Sequence, residues 1–210
     1  MKDREYGRCT AFEGVRRIAS GELGQVALRV KEVLDRGETA PVLIFDDVTS
    51  EPIEVDFRGT VEDVAERLEK AGSMVTSADA PALPVAPRGP GRPKLGVVAR
   101  EVTLLPRHWD WLNGQPGGAS VALRKLVEAA RRANEGRDRA RRAQESAYRF
   151  MSTMAGNFPG FEEATRALFA NDQERLEAEI RDWPEDVRSH VEQLVRETLV
   201  PASDSLAVEG

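Results

Sequence analysis

The sequence predicts an α+β fold, and three observations carry that expectation. Residues 8–70 alternate short apolar runs with segments of helical period. A stretch from Ser73 to Lys94 holds Pro81, Pro84, Pro87, Pro90 and Pro93 and little that could fill a core, so it reads as an extended linker. The apolar positions from Ala147 to Leu199 recur at helical spacing. The expected organisation is an α+β domain over 1–72, a basic Pro/Gly-rich linker over 73–96, a strand-helix-helix segment over 97–145, a helical domain over 146–200 and a frayed tail over 201–210.

The N-terminal part is expected in the order ββαββα. Arg8–Phe12 and Val15–Ala19 flank Glu13-Gly14, a tight hairpin turn. Ser20 is placed to cap a helix whose apolar face is Leu23, Val26, Ala27, Val30, Val33 and Leu34, and Gly37 ends it. Pro41–Phe45 is strongly apolar, and Ile53–Phe57 alternates as a half-buried strand does; Asp46 to Pro52 is the turn between them. Thr60-Val-Glu-Asp63 is a capping box for a helix carrying Val64 and Leu68 and stopping at Gly72. Further on, Val97–Leu105 is strand-like, Pro106 opens a helix, Gly117-Gly118 breaks it and Ser120 caps a second. Trp109 and Leu112 share one face of the first of these helices and are expected in the core; Gly136 is a weak point after the second. The C-terminal part breaks at Asn157–Gly160 and Trp183-Pro184 into three or four short helices.

Composition narrows the function. No apolar run approaches the roughly 20 residues that span a bilayer, and Met1–Glu5 is not followed by the apolar stretch of a signal peptide. Cys9 is the single cysteine and His108 and His190 the two histidines, too few for a Cys/His zinc cluster; a cytoplasmic setting is expected. The charge is segregated. Residues 88–142 hold thirteen Lys and Arg against five Asp and Glu, whereas 1–87 hold eleven against seventeen and 143–210 six against fourteen. An acidic chain that gathers positive charge in one internal stretch is suited to meeting phosphate.

The run Arg100-Glu-Val-Thr-Leu-Leu-Pro-Arg-His-Trp-Asp-Trp-Leu112, followed by Gly117-Gly-Ala-Ser-Val-Ala-Leu-Arg-Lys-Leu-Val-Glu-Ala-Ala-Arg131, resembles the ribbon-helix-helix family of DNA-binding proteins. The resemblance implies that two chains pair residues 98–105 into one antiparallel ribbon that enters the major groove. It implies a homodimer, a groove face bearing Arg100 or, in the opposite register, Thr103 beside Glu101, and backbone N–H groups at Ser120 directed at a phosphate. Gly91-Arg92-Pro93-Lys94 is similar to the core of an AT-hook, with Pro90 standing where that motif has an arginine and Arg88 two residues earlier. That similarity implies a minor-groove arm using Arg88, Arg92 and Lys94. Arg107, Arg124, Lys125, Arg131 and Arg132 complete the expected nucleic-acid contacts; the alternative is a solvated helix face on which Glu128, Glu135 and Asp138 balance the arginines. Over nearly its full length the chain also resembles a bacterial family classed as a domain of unknown function, through Thr10-Ala-Phe12, Leu43–Asp47, Val102–Trp109 and Tyr148–Met151.

Catalytic signatures are sparse. There is no Gly-x-Ser-x-Gly, P-loop, dinucleotide fingerprint or His-Glu-x-x-His. Asp46-Asp47 follows an apolar strand with Glu51, Glu54 and Asp56 nearby, which admits a Mg²⁺ site, though a backbone-capping turn is the simpler reading of those residues. His108 is open to three readings: a phosphate contact, a packed interface residue, or neither. Cys9 is read as a buried strand residue. The sequence therefore predicts a DNA-binding protein, either a transcriptional regulator or a nucleoid-associated protein, with no enzyme activity, cofactor or membrane partner. The alternative is a protein-interaction module without nucleic acid, its basic stretch docked on an acidic surface such as Glu162–Glu179.

Overall fold

A computed structural model describes residues 7–37, 40–76 and 100–196. The elements run β1 (Arg8–Glu13), β2 (Arg16–Glu22), α1 (Leu23–Asp35), β3 (Val42–Asp46), α2 (Val61–Thr76), α3 (Pro106–Asn113), α4 (Gly118–Met154), α5 (Phe161–Ala170), α6 (Gln173–Glu179) and α7 (Glu185–Arg196). The described residues fall into two compact units, one formed by 7–76 with 136–196 and the other by 100–135. The α+β class holds, with helix predominating.

In the first unit β1 is the central strand of an antiparallel sheet ordered β2-β1-β3. The Glu13-Gly14 turn forms as expected, Gly14 taking a φ of 55° that a side chain resists. Alternation along β1 sends its side chains to two cores. Cys9 and Ala11 face one, with Val26 and Val30 of α1, Ile44 and Ile53. Phe12 faces the other, with Phe45, Phe150, Met151, Val187 and Val191. There Phe150 lies with its ring centroid 5.3 Å from that of Phe12 and 5.2 Å from that of Phe45. All three rings are fully buried, each stabilising the fold by about 1.5–3 kcal/mol. The N-terminal strands and the C-terminal helices thus complete a single core.

The helix signals behave as physical chemistry dictates at several ends. Gly37, at φ 79°, closes α1 with its N–H on the Leu34 carbonyl. The Thr60–Asp63 box is reciprocal: the Asp63 carboxylate accepts the Thr60 N–H at 2.8 Å, and the Thr60 hydroxyl accepts the Asp63 N–H at 3.3 Å. In the second unit Pro106 opens α3 after an extended Leu105, and Leu112 is its buried residue. Gly117 and Gly118, at φ 86° and 73°, turn the chain into α4.

Three expectations are corrected. The order is ββαβα, because the fourth strand does not form. Beyond a single Phe45–Pro52 bridge and an Ile53 N–H to Ile44 carbonyl bond, the chain leaves β3. Side chains then take over its backbone: Arg67 of α2 donates to the carbonyls of Asp56 and Arg58, and Asp56 accepts the Arg58 N–H. Ser20 does not cap α1; it lies in β2, its hydroxyl shared with Thr10 at 2.8 Å, and Glu22 holds the cap position. Helix α2 passes Gly72 and runs to Thr76. Gly136, the expected weak point, lies inside α4, which stays continuous for 37 residues; Ala, Arg, Glu and Gln around it outweigh a cost of about 1 kcal/mol. The strand expected over 97–105 was to pair with a second chain, so the single chain does not test it: residues 100–105 are irregular here and 97–99 lie outside the described residues. A lone strand has no neighbour to satisfy its backbone groups.

Candidate nucleic-acid interface

The expected contacts distribute unevenly. Arg88, Arg92 and Lys94 lie outside the described residues. Arg100 and Thr103 are exposed on the irregular stretch before α3, and Arg107 is exposed in the first turn of that helix. His108 is exposed beside it, Trp109 is half-buried and Trp111 is exposed. Ser120 is not a cap. It sits inside the first turn of α4, which begins at Gly118, and its carbonyl accepts the Arg124 Nε–H at 3.1 Å.

Within α4 the geometry gathers four of the predicted cations. At about 100° per residue, Arg124, Lys125, Arg131 and Arg132 fall within an arc of roughly 120° on one face, and all four are exposed. Glu128 stands among them and pairs with Arg131 at 2.9 Å and Arg132 at 3.3 Å. The hydrogen bond from Arg131 lowers the Glu128 pKa, and that of Arg131 is raised in return. The face keeps a positive surplus, because four cations share it with two carboxylates, Glu128 and Glu135, the second of which also acts on Arg131. Further along the helix Asp138 pairs with Arg141 at 3.3 Å. The ion pairs recorded for Arg131, Arg132 and Arg141 are thus local to their helix, and Glu163 is engaged by Arg166 and Arg175.

The carboxylates around the end of β3 have separate duties. Asp46 accepts the N–H groups of Val48 and Thr49, at 3.0 and 2.8 Å, and the Thr49 hydroxyl at 2.9 Å, which makes it the lock of its own turn. Asp47 accepts the Thr10 hydroxyl at 2.6 Å, and burial raises its pKa. Asp56 pairs with Arg58, whose hydrogen bond holds its pKa well below the ordinary range. Among the described residues no three His, Cys, Asp or Glu side chains are grouped to hold a metal ion. Two hollows of about 10 and 30 Å³, the larger beside Asp47, Ser146 and Gln193, fall far below the roughly 300–1,000 Å³ of small-molecule sites. Burial pushes the Cys9 thiol up to about 12, with Asp47 and Asp46 adding to the shift, so the sulfur is a protonated core atom at neutral pH.

Sequence reading missed two features. One is a polar latch: the buried Ser50 and Ser146 hydroxyls share a hydrogen bond at 2.8 Å, and Arg149 donates to the Thr49 carbonyl, fastening the β3 turn to α4. Two serines 96 positions apart gave no signal. The other is His190, whose position with Val187, Val191 and Leu194 on one face of α7 was a readable sign of burial.

The profile of a family described as an uncharacterized protein conserved in bacteria (DUF2239) matches residues 8–195. The chain belongs to that family. The whole-length resemblance noted in the sequence is therefore borne out, and it covers the sheet, the basic helix and the C-terminal helices together. No curated protein and no solved structure matches the chain. Among the described residues no helix is long and apolar enough to cross a membrane.

Proposed function

We propose that the chain binds double-stranded DNA through its basic segment, acting as a transcriptional regulator or nucleoid-associated protein. The observation that carries this reading is the exposed cationic face of α4 inside an otherwise acidic chain. In this reading Arg124, Lys125, Arg131 and Arg132 neutralise backbone phosphates, which position the protein without reading bases. Arg100, Thr103 and Arg107 meet the groove. Arg88, Arg92 and Lys94 form a minor-groove arm, and residues 98–105 of two chains pair as a homodimer. A gel-shift titration across salt concentrations, with A·T-rich and G·C-rich duplexes, tests it. Affinity falls linearly on a log–log plot as counterions are released, and the double variant Arg131→Ala, Arg132→Ala lowers the slope by about two. No retardation at low salt ends the proposal.

A second reading, a protein-interaction module without nucleic acid, draws on a different observation. Val102, Leu105, Trp111, Leu126 and Val127 are all about half exposed or more within residues 100–135. Apolar side chains in such number commonly mark a protein interface. Pull-down competition separates the readings: heparin abolishes a DNA contact and leaves an apolar one intact.

A further inference from the structure

His190 is 1% exposed, and neither of its ring nitrogens has a hydrogen-bond partner. The ring is enclosed by aromatic faces. Its centroid lies 4.4 Å from that of Phe150 on α4 and 5.4 Å from that of Phe12 on β1. Val187 and Val191 extend the same buried face of α7. A neutral imidazole survives there as an aromatic filler. A protonated one needs two acceptors, and among the described residues neither nitrogen has one. From β2, Arg17 opposes a positive charge. On β1, Glu13 is held by Arg16. On α4, Arg149 is turned to the Thr49 carbonyl. On β3, Asp46 and Asp47 are engaged by the turn and by Thr10. On α7 itself, Asp186 accepts the Arg17 backbone N–H at 2.9 Å and Glu192 pairs with Arg188.

We propose that α7 is an acid-releasable latch on the shared core, with His190 as its trigger. A proton on this ring has no acceptor in the closed state and is accommodated only when α7 lifts away from β1 and α4. Opening uncovers Phe12, Phe45 and Phe150. The Arg17 N–H to Asp186 tie between β2 and α7 is exposed and weak. The core rather than the surface therefore holds the helix down.

The sign follows from burial, chiefly, and then from Arg17, which together depress the ring's pKa from 6.5 to about 4 in the closed state. In the open state the ring titrates normally. The closed state is favoured above about 6.5 and loses that advantage as pH falls toward 4. Opening rises roughly fiftyfold between pH 7 and 4.5 by this linkage.

Hydrogen exchange of α7 amides in the full chain, followed from pH 7 to 4.5, tests the proposal. Exchange protection of α7 is expected to fall below pH 6, once corrected for intrinsic rates, while that of β1 and β3 outlasts it. His190→Leu, which cannot take the proton, should keep α7 protected over the same range. If the variant loses α7 protection in parallel with the wild type, the trigger is elsewhere and the idea fails. NMR of the wild-type ring gives a reading that needs no variant. A ring that remains neutral at pH 5 in the closed state supports the latch; one that titrates near 6.5 with α7 still protected overturns it.

Discussion

The two units of this chain show how differently two stretches of similar helical promise can settle. In the first, strands and helices from opposite ends of the sequence enclose Phe12, Phe45, Phe150 and Ile180, all fully buried. In the second, Leu112 and Ala122 are the buried apolar side chains among the described residues, while Trp111 and Val127 stand 53% and 63% exposed. The contrast teaches that periodicity specifies a helix, whereas burial depends on how many elements converge on it.

The comparison breaks most sharply under truncation of core and surface side chains. Phe150→Ala should cost about 3–5 kcal/mol in urea unfolding, and Val127→Ala in the second unit should remain within about 0.5 kcal/mol. Equal losses would mean that the second unit is packed as tightly as the first. The latch between the β3 turn and α4 sits next in size. Ser146→Ala strands the buried Ser50 hydroxyl and should cost about 1–3 kcal/mol, read from the same melts.

The smallest effect is electrostatic. Burial raises the Asp47 pKa above its ordinary 3.8, although Thr10, Arg8 and Arg17 work against that shift. An acid whose folded pKa is raised favours the folded state below its unfolded value, and this contribution disappears as pH rises through the folded one. Asp47→Asn keeps an acceptor for Thr10 and removes the buried charge. It should therefore raise Tm by a few degrees at pH 7, with the gap closing near pH 4. A lower Tm at pH 7 would show that the arginines outweigh desolvation.

Local signals were legible where one physical cause dominates. The Glu13-Gly14 turn, the Thr60–Asp63 box and Gly37 each satisfy their own backbone groups within a few residues, so neighbouring sequence suffices to read them. Ile53–Phe57 misled because alternation records which faces are apolar and says nothing about an available edge; Arg67 holds the Asp56 carbonyl within that stretch. Phe12 and Phe45 were plainly core residues, yet their partners lie more than a hundred positions away on α4 and α7. The four cations of α4 were found individually. Their common face and the placement of Glu128 between them emerged only with helical geometry.

The distance between Phe12 and its partners has a consequence during biosynthesis. The ribosome delivers β1 and β3 long before α7, and at about 5–20 residues per second the interval from Phe45 to Val187 lasts roughly seven to thirty seconds. For that time the aromatic side of the nascent sheet has no lid, and its phenylalanines are open to any passing hydrophobic segment. A stop codon arising anywhere before α7 would leave that state permanent, converting a brief exposure into an aggregating product.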